Sequence, residues 1–504
     1  MRMVKSLLLG SAAGIVAVAG AQAADLPVKA KPVEYVKICS LYGDGFYYIP
    51  GTDTCIQLGG NTQADYNWNA QSNGQPHYTG AFGAQDRTNV SPFAFRGRAD
   101  FAIDTRTQTA YGTLRTFEVF RIDNVNIGTV SPQVPRAFIQ WAGFTFGHTK
   151  SFTDPFGQLG GGDFESISQC QICSDSGANG TNQIAYTWEL GNGNSLSVGG
   201  DERRTKTLTN LSLAGAISIG AANGDVHGPQ QHPDPWVAFK SIQSWGKWSV
   251  AVIGHKDNAT YNNYTTTGAA GTNIPPAGTP FCPQPGTTFC GYPSDKWGWA
   301  VTSGFEAKAF WDTPGSRFGA FFNYSQGAAA FAGTNIVNPG LFGGGNQLAL
   351  GTATEAVFVN GSALQLTTQW SAGGAYEHYW TRNFTSKVLG GISEVSYNGA
   401  VVGSRIFCGA NGGGVQNILI PAATACDPGF RYWTVSGQTN WYPVPGFRLA
   451  VEVLYLNVET AYKGAQVSLA KSIGARPTGV YTAKDQGILA VYFRAARRFP
   501  ASPE

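Results

Sequence analysis

The chain has 504 residues, a formal net charge of +3, and charged and aromatic residues at 13% each. So small a charge excludes strong electrostatic attraction to a polyanion such as nucleic acid as an organising principle. Past the first residues no apolar run reaches membrane-helix length, and few stretches show the helical amphipathic period of a dry-cored protein.

Residues 1–23 read as an export signal. Arg2 and Lys5 give the positive start, LLLGSAAGIVAVAG the short apolar core, and Ala21-Gln22-Ala23 the small-residue cleavage site. Residues 24–54 follow as a Pro-containing leader, expected in the periplasm. The eight cysteines fall into four close pairs: Cys39/Cys55, Cys170/Cys173, Cys282/Cys290 and Cys408/Cys426. In an exported chain such pairs read as disulfides, the first tying the leader to the first strand. Around Cys170-Gln-Ile-Cys173 there is neither a second Cys pair at zinc-ribbon spacing nor a nearby His, so no metal is expected there.

From Cys55 the pattern has period two. Phe95, Ala99, Phe101 and Ile103 alternate with Arg96, Arg98, Asp100 and Asp104, and Phe447, Leu449, Val451, Val453 and Tyr455 alternate with Arg448, Ala450 and Glu452. Glu118 and Leu454 break the alternation. The expected strands are 55–68, 91–104, 110–122, 134–142, 144–150, 182–190, 195–204, 235–242, 247–256, 296–309, 316–326, 366–380, 384–398, 430–442, 446–458 and 485–499. Every second connection is short (TRTQT, Gly143, GNGN, QSWG, WDTPG, TRN, PVP). The others are mostly long, as at 205–234, 257–295, 327–365, 399–429 and 459–484. Short turns at one end and long loops at the other fit an all-β transmembrane antiparallel barrel of sixteen strands over 55–499. The long loops, rich in Gly, Asn, Thr and Pro, contain little to build a core. Trp236, Trp245, Trp248, Trp297, Trp299, Trp311, Trp370, Trp380, Trp433 and Trp441 lie near strand ends, where interfacial girdles sit.

Residues 151–181 stand apart. This stretch of 31 residues has no Lys or Arg but carries Asp154, Asp163, Glu165 and Asp175. A loop this long without periodicity is functional or disordered. The expectation is that it folds into the barrel and narrows an aqueous lumen, which sixteen strands leave open. Its carboxylates would face a basic strip of Arg96, Arg98, Arg115 and Arg121, setting up a transverse field.

Several segments carry a family resemblance: KSLLLGSAAG at 5–14, GAQAAD at 20–25, VEYVKICSLYGDGFYYIPGTDTCIQLGG at 33–60, GTLRTFEVFR at 112–121, AFIQWAGFTFGHTKSF at 137–152 and WYPVPGFRLAVEVLY at 441–455. On these the chain resembles the alphaproteobacterial porin family of rhizobia and brucellae. GILAVYFRAARRF resembles the assembly signal of outer-membrane barrels, here followed by the tail 500–504. The resemblance implies a homotrimer whose third extracellular loop, here 151–181, folds inward. It also implies contact with outer-membrane lipid and lipopolysaccharide, and delivery through the barrel-assembly machinery. The expected function is a water-filled channel for passive diffusion of ions and small hydrophilic solutes. No cofactor, metal or nucleic-acid partner is expected. A solute-biased channel and an adhesin using the long loops are the alternatives. A barrel hydrolase is disfavoured, since His77, His148, His227, His232, His255 and His378 are scattered and no GxSxG occurs.

Overall fold

A computed structural model describes residues 37–499 apart from 70–90, 127–128, 160–163, 169, 171, 175, 177–179, 212–224, 261–291, 334–339, 359–361, 404–406, 408–425 and 470–475. Sixteen strands make the wall. They are β1 Thr54–Asn69, β2 Phe93–Thr109, β3 Gly112–Val125, β4 Thr129–Trp141, β5 Phe144–Thr149, β6 Thr181–Gly191, β7 Asn194–Asp201 and β8 Asp234–Gln243. The second half comprises β9 Gly246–Asp257, β10 Lys296–Lys308, β11 Arg317–Gln326, β12 Thr368–Thr381, β13 Phe384–Ser396, β14 Phe430–Val444, β15 Phe447–Glu459 and β16 Gln486–Phe499. Each pairs antiparallel with its sequence neighbours, and β16 closes on β1 from Gly60↔Phe499 to Asn69↔Ala490.

Closure leaves no long edge, as a bilayer demands, because unpaired backbone groups in hydrocarbon cost several kcal/mol each. The period-two alternation sets the two faces. On β1, Tyr66 and Trp68 point out while Gln63, Asp65 and Asn67 are buried inside; on β15, Val451 and Val453 point out while Glu452 is buried. Tight turns join strands at one end. In Ala142-Gly143 and Asn192-Gly193 both residues have positive φ, the conformation that suits a two-residue hairpin between twisted strands. Exposed Tyr111, Trp141, Trp245, Trp311, Trp380 and Trp441 ring this end. Trp236 does not belong to a girdle: it is buried inside and its Nε1 donates to Asp201.

Two expectations are corrected here. TRTQT is not a turn: β2 runs on through Thr109, with Arg106 opposite Arg115 and Thr105 opposite Thr116, and the chain reverses at Ala110-Tyr111. Leu454 breaks the alternation as read from the sequence, and it does so by facing inward against Ile167 of the 151–181 loop. The long loops do build a core. Gly340–Phe342, Gln347–Leu350, Gln466–Leu469 and Gly479–Ala483 form a four-stranded sheet. Its Leu341, Phe342, Leu348, Val467 and Tyr481 join one apolar cluster with the inward-facing Tyr432, Leu456 and Ile488 of the wall. A second small sheet combines Thr207–Asn210, Thr354–Phe358 and Gln365–Leu366.

The leader is held as its cysteines suggest. Cys39 and Cys55 are bonded, and the strand Tyr47–Tyr48 pairs with the start of β1. Cys170 and Cys173 are likewise bonded. Cys426 is disulfide-bonded, whereas Cys282, Cys290 and Cys408 lie outside the described residues, as do residues 1–23 and 500–504.

Candidate pore constriction

The 151–181 loop leaves the wall after β5 and enters the barrel. Its two ends are clasped together: Ser176 donates to Asp154 through its amide, 3.0 and 3.1 Å, and its hydroxyl, 2.8 Å. The Ser151 hydroxyl donates to Asp201 on β7 at 2.5 Å. From there the loop follows the inner wall. Thr302 on β10 donates to the Thr153 carbonyl at 2.5 Å, and the Phe156 amide donates to Ser249 on β9 at 2.9 Å. Gly157 has φ +72°, and a Cβ there would lie 2.0 Å from the Phe305 carbonyl. Only glycine lets the two backbones approach so closely. On the far side Gly391 of β13 makes room for Ile172, whose terminal carbon a Cβ would meet at 2.1 Å.

The strongest anchor is Glu452 on β15, which is wholly buried. It accepts from the Ile167 amide at 2.6 Å, the Ser168 amide at 3.2 Å, and the Ser166 and Ser168 hydroxyls at 2.7 Å each. A buried carboxylate is tolerated when its lone pairs are answered in this way. The alternating Ser-Ile-Ser turns both hydroxyls to Glu452 and sends Ile167 into the apolar gap beside Leu454 and Tyr492.

One residue earlier, Glu165 meets three arginines. Arg448 on β15 grips both carboxylate oxygens at 2.9 Å, Arg494 on β16 reaches Oε1 at 2.8 Å, and Arg498 reaches Oε2 at 3.1 Å. Lys387 on β13 donates to the Glu165 carbonyl. Beside this cluster lies a cavity of about 300 Å³ lined by Glu165, Arg317, Glu377, Lys387, Arg448 and Arg498. Four cations and two carboxylates line it, a net positive lining.

The residues named from the sequence are distributed differently from expectation. Glu165 bears on the wall, but on Arg448, Arg494 and Arg498 rather than on Arg96, Arg98, Arg115 or Arg121. Asp154 is a clasp for the loop ends, with Arg204 at 3.4 Å. Asp163 and Asp175 lie outside the described residues. Each of the four arginines of β2 and β3 has a wall aspartate: Arg96–Asp65 at 2.5 Å, Arg98–Asp123 at 2.6 Å, Arg115–Asp104 at 3.0 Å and Arg121–Asp100 at 2.7 Å. Cross-strand neighbours of opposite charge reach each other before a loop can. Arg96 is still joined to the loop at one remove, because Asp65 also accepts from Arg494 at 2.7 Å. The groups that sequence reasoning passed over, Arg448, Glu452, Arg494 and Arg498, occupy the even-numbered, inward positions of β15 and β16. That parity was their visible signal.

Residues 25–491 match the family described as the Porin subfamily. Porin Omp2b of Brucella canis (strain ATCC 23365 / NCTC 10854 / RM-666) is 32% identical over 277 residues, covering 50% of this chain and 69% of that protein. Porin Omp2b of Brucella abortus (strain 2308) matches to the same extent. The outer membrane channel DcaP of Acinetobacter baumannii superposes with a TM-score of 0.57 at 13% identity, covering 90% of this chain and 99% of that one, a likeness of fold alone.

Proposed function

The chain belongs to the Porin subfamily, and on that premise we propose that its 151–181 loop is the eyelet that sets what the channel passes. The protein is an outer-membrane porin, a channel rather than an enzyme. In the proposed reading, ions and small hydrophilic solutes diffuse passively past Glu165 and the arginines that face it. Arg96, Arg98, Arg115 and Arg121, each paired with an aspartate, line the adjoining inner wall. The observation that carries this reading is the set of contacts from one loop carboxylate to Arg448, Arg494 and Arg498 on the opposite side of the loop's path. Planar-bilayer recordings in a salt gradient test it: eyelet charge variants should move the reversal potential, and neutral variants on the outer surface should not.

The positive cavity beside Glu165 favours a second reading, a bias toward small anions. Saturable block of conductance by a small dicarboxylate would support the bias, and linear, unsaturated current would leave general diffusion standing. We further propose that residues 1–23 are removed on export, that residues 24–54 remain periplasmic, and that the barrel assembles as a homotrimer in contact with lipid and lipopolysaccharide after delivery by the barrel-assembly machinery. The apolar outward belt, with Phe95, Phe101, Phe120, Ile122, Val388 and Phe493 exposed, supports burial of the wall in lipid or against other subunits.

A further inference from the structure

Away from the eyelet, four ionisable side chains converge where β9 ends at the long-loop mouth. His255 and Asp257 are on β9, His227 lies between β7 and β8, and Glu355 lies in the short strand Thr354–Phe358 between β11 and β12. His255, Asp257 and Glu355 are wholly buried, and the His227 side chain is 6% exposed. Each imidazole is held at Nδ1 by a carboxylate, His227 by Asp225 at 2.6 Å and His255 by Asp234 at 2.9 Å. Both Nε2 atoms are thereby turned toward the same two acids. His227 Nε2 lies 2.9 Å from Glu355 Oε2, and His255 Nε2 lies 3.6 Å from that oxygen and 3.8 Å from Asp257 Oδ1. The ligand atoms of His227, Asp257 and Glu355 all lie within 4.8 Å of one another.

Nε2 of both histidines, both Asp257 oxygens and Glu355 Oε2 make no well-directed hydrogen bond, although His227 Nε2 and Glu355 Oε2 lie within ion-pair distance of each other. Buried polar atoms are normally answered by directed hydrogen bonds, so this gathering of two imidazoles and two acids at one point demands an explanation. Protonated imidazoles are the competing account, yet a proton on His255 Nε2 would still lie on an atom 3.8 Å from Asp257 Oδ1, beyond hydrogen-bond reach. Arg203 directs its guanidinium to neutral oxygens, those of Asn258 and the Gly228 carbonyl, and the Lys206 amide donates to Oε1 of Glu355, leaving Oε2 toward the cluster. A cation at the centre would take one donor atom from each of the four side chains. Bonds of about 2.0–2.2 Å to a tetrahedral ion place its donors roughly 3.3–3.6 Å apart, and the three pairs here are 2.9, 3.6 and 3.8 Å apart, so the side chains would shift slightly around an ion. Carboxylates behind the outer ring nitrogens are the usual support for metal-bound histidine.

We infer that His227, His255, Asp257 and Glu355 form a binding site for a first-row divalent cation of the zinc type, which ties β9 to two loop segments at the barrel mouth. Two imidazoles with two carboxylates favour such an ion over calcium or magnesium, which take oxygen donors. The four residues are so dispersed in the sequence that no spacing motif announces them.

The test uses the full-length protein, purified in detergent, stripped with chelator and titrated with cobalt(II) and then zinc. The expected result is one cobalt per chain with the visible absorption of a low-symmetry, nitrogen-containing site, displaced by zinc. His227→Gln and Glu355→Gln should each weaken zinc binding by at least about tenfold. His378→Gln, at a distant histidine, should leave the titration unchanged. No visible band in the wild-type protein would overturn the assignment without reference to any variant. A band lost in His378→Gln, or unmoved in both site variants, would overturn it equally.

Discussion

Replacing Glu165 by Gln removes one negative charge from a point where Arg448, Arg494 and Arg498 stand at 2.9, 2.8 and 3.1 Å. An ion passing at roughly 5 Å feels a unit charge by about 0.8 kcal/mol in water. With a Debye length near 8 Å at 0.15 M salt, screening reduces this to about 0.4 kcal/mol. The change raises the cation barrier and lowers the anion barrier together, so the anion-to-cation permeability ratio should rise about fourfold. At 1 M salt the Debye length is about 3 Å and the same arithmetic leaves less than a twofold change. Arg448→Gln should shift the ratio the other way by a similar factor. The assay is the reversal potential across a planar bilayer under a salt gradient, at low and at high mean salt. Glu394→Gln, at a carboxylate paired with the exposed Arg431 at the strand end, is the control. If Glu165→Gln and Glu394→Gln give the same reversal potential at low salt, the loop does not set the narrowest point.

Glu452→Ala should loosen the loop, since it strips two amides and two hydroxyls of their acceptor. At about 1–3 kcal/mol per unanswered buried group the local cost is several kcal/mol, to be read as faster hydrogen exchange at the Ile167 and Ser168 amides and noisier single-channel current. Gly157→Ala forces a Cβ to 2.0 Å from a carbonyl at positive φ, and should cost about 1–3 kcal/mol of thermal stability. Non-reduced peptide mapping should recover Cys39–Cys55 and Cys170–Cys173 as linked pairs; free thiols at 39 and 55 would contradict the fold of the leader. Native mass spectrometry in mild detergent should show trimers, and a purely monomeric spectrum would remove that proposal.

The wall was legible because its physics is local. Alternation such as Phe95-Arg96 and Val451-Glu452 survives in any register, and the contrast between short and long connections needs no tertiary knowledge. Local reading failed where polar β-branched residues imitate a turn, as at Thr105–Thr109, since a lumen-facing strand end has the composition of a loop. It failed again for the eyelet partners. Nothing near Glu165 in the chain says whether its loop will lean on β2 and β3 or on β15 and β16. That choice depends on the neighbouring aspartates that claim Arg96, Arg98, Arg115 and Arg121, and on Gly157 and Gly391, which let the loop lie against the other wall. The core built by Leu341, Leu348 and Tyr481 was hidden because its apolar residues are spread over two loops, each too polar by itself.

The attachment of Ser166, Ile167 and Ser168 to Glu452, across sequence separations of 284 to 286 residues, has a consequence for the order of construction. A chain emerging from its amino end makes the eyelet segment early and the strands that hold it last. Until β15 and β16 are seated, Glu165 has no arginine to bind and the Ser-Ile-Ser turn no carboxylate. On the proposed reading of the loop, a barrel stalled before its final strands is both unsealed at its seam and without its constriction. Completion of the cylinder and anchoring of the loop are then one event.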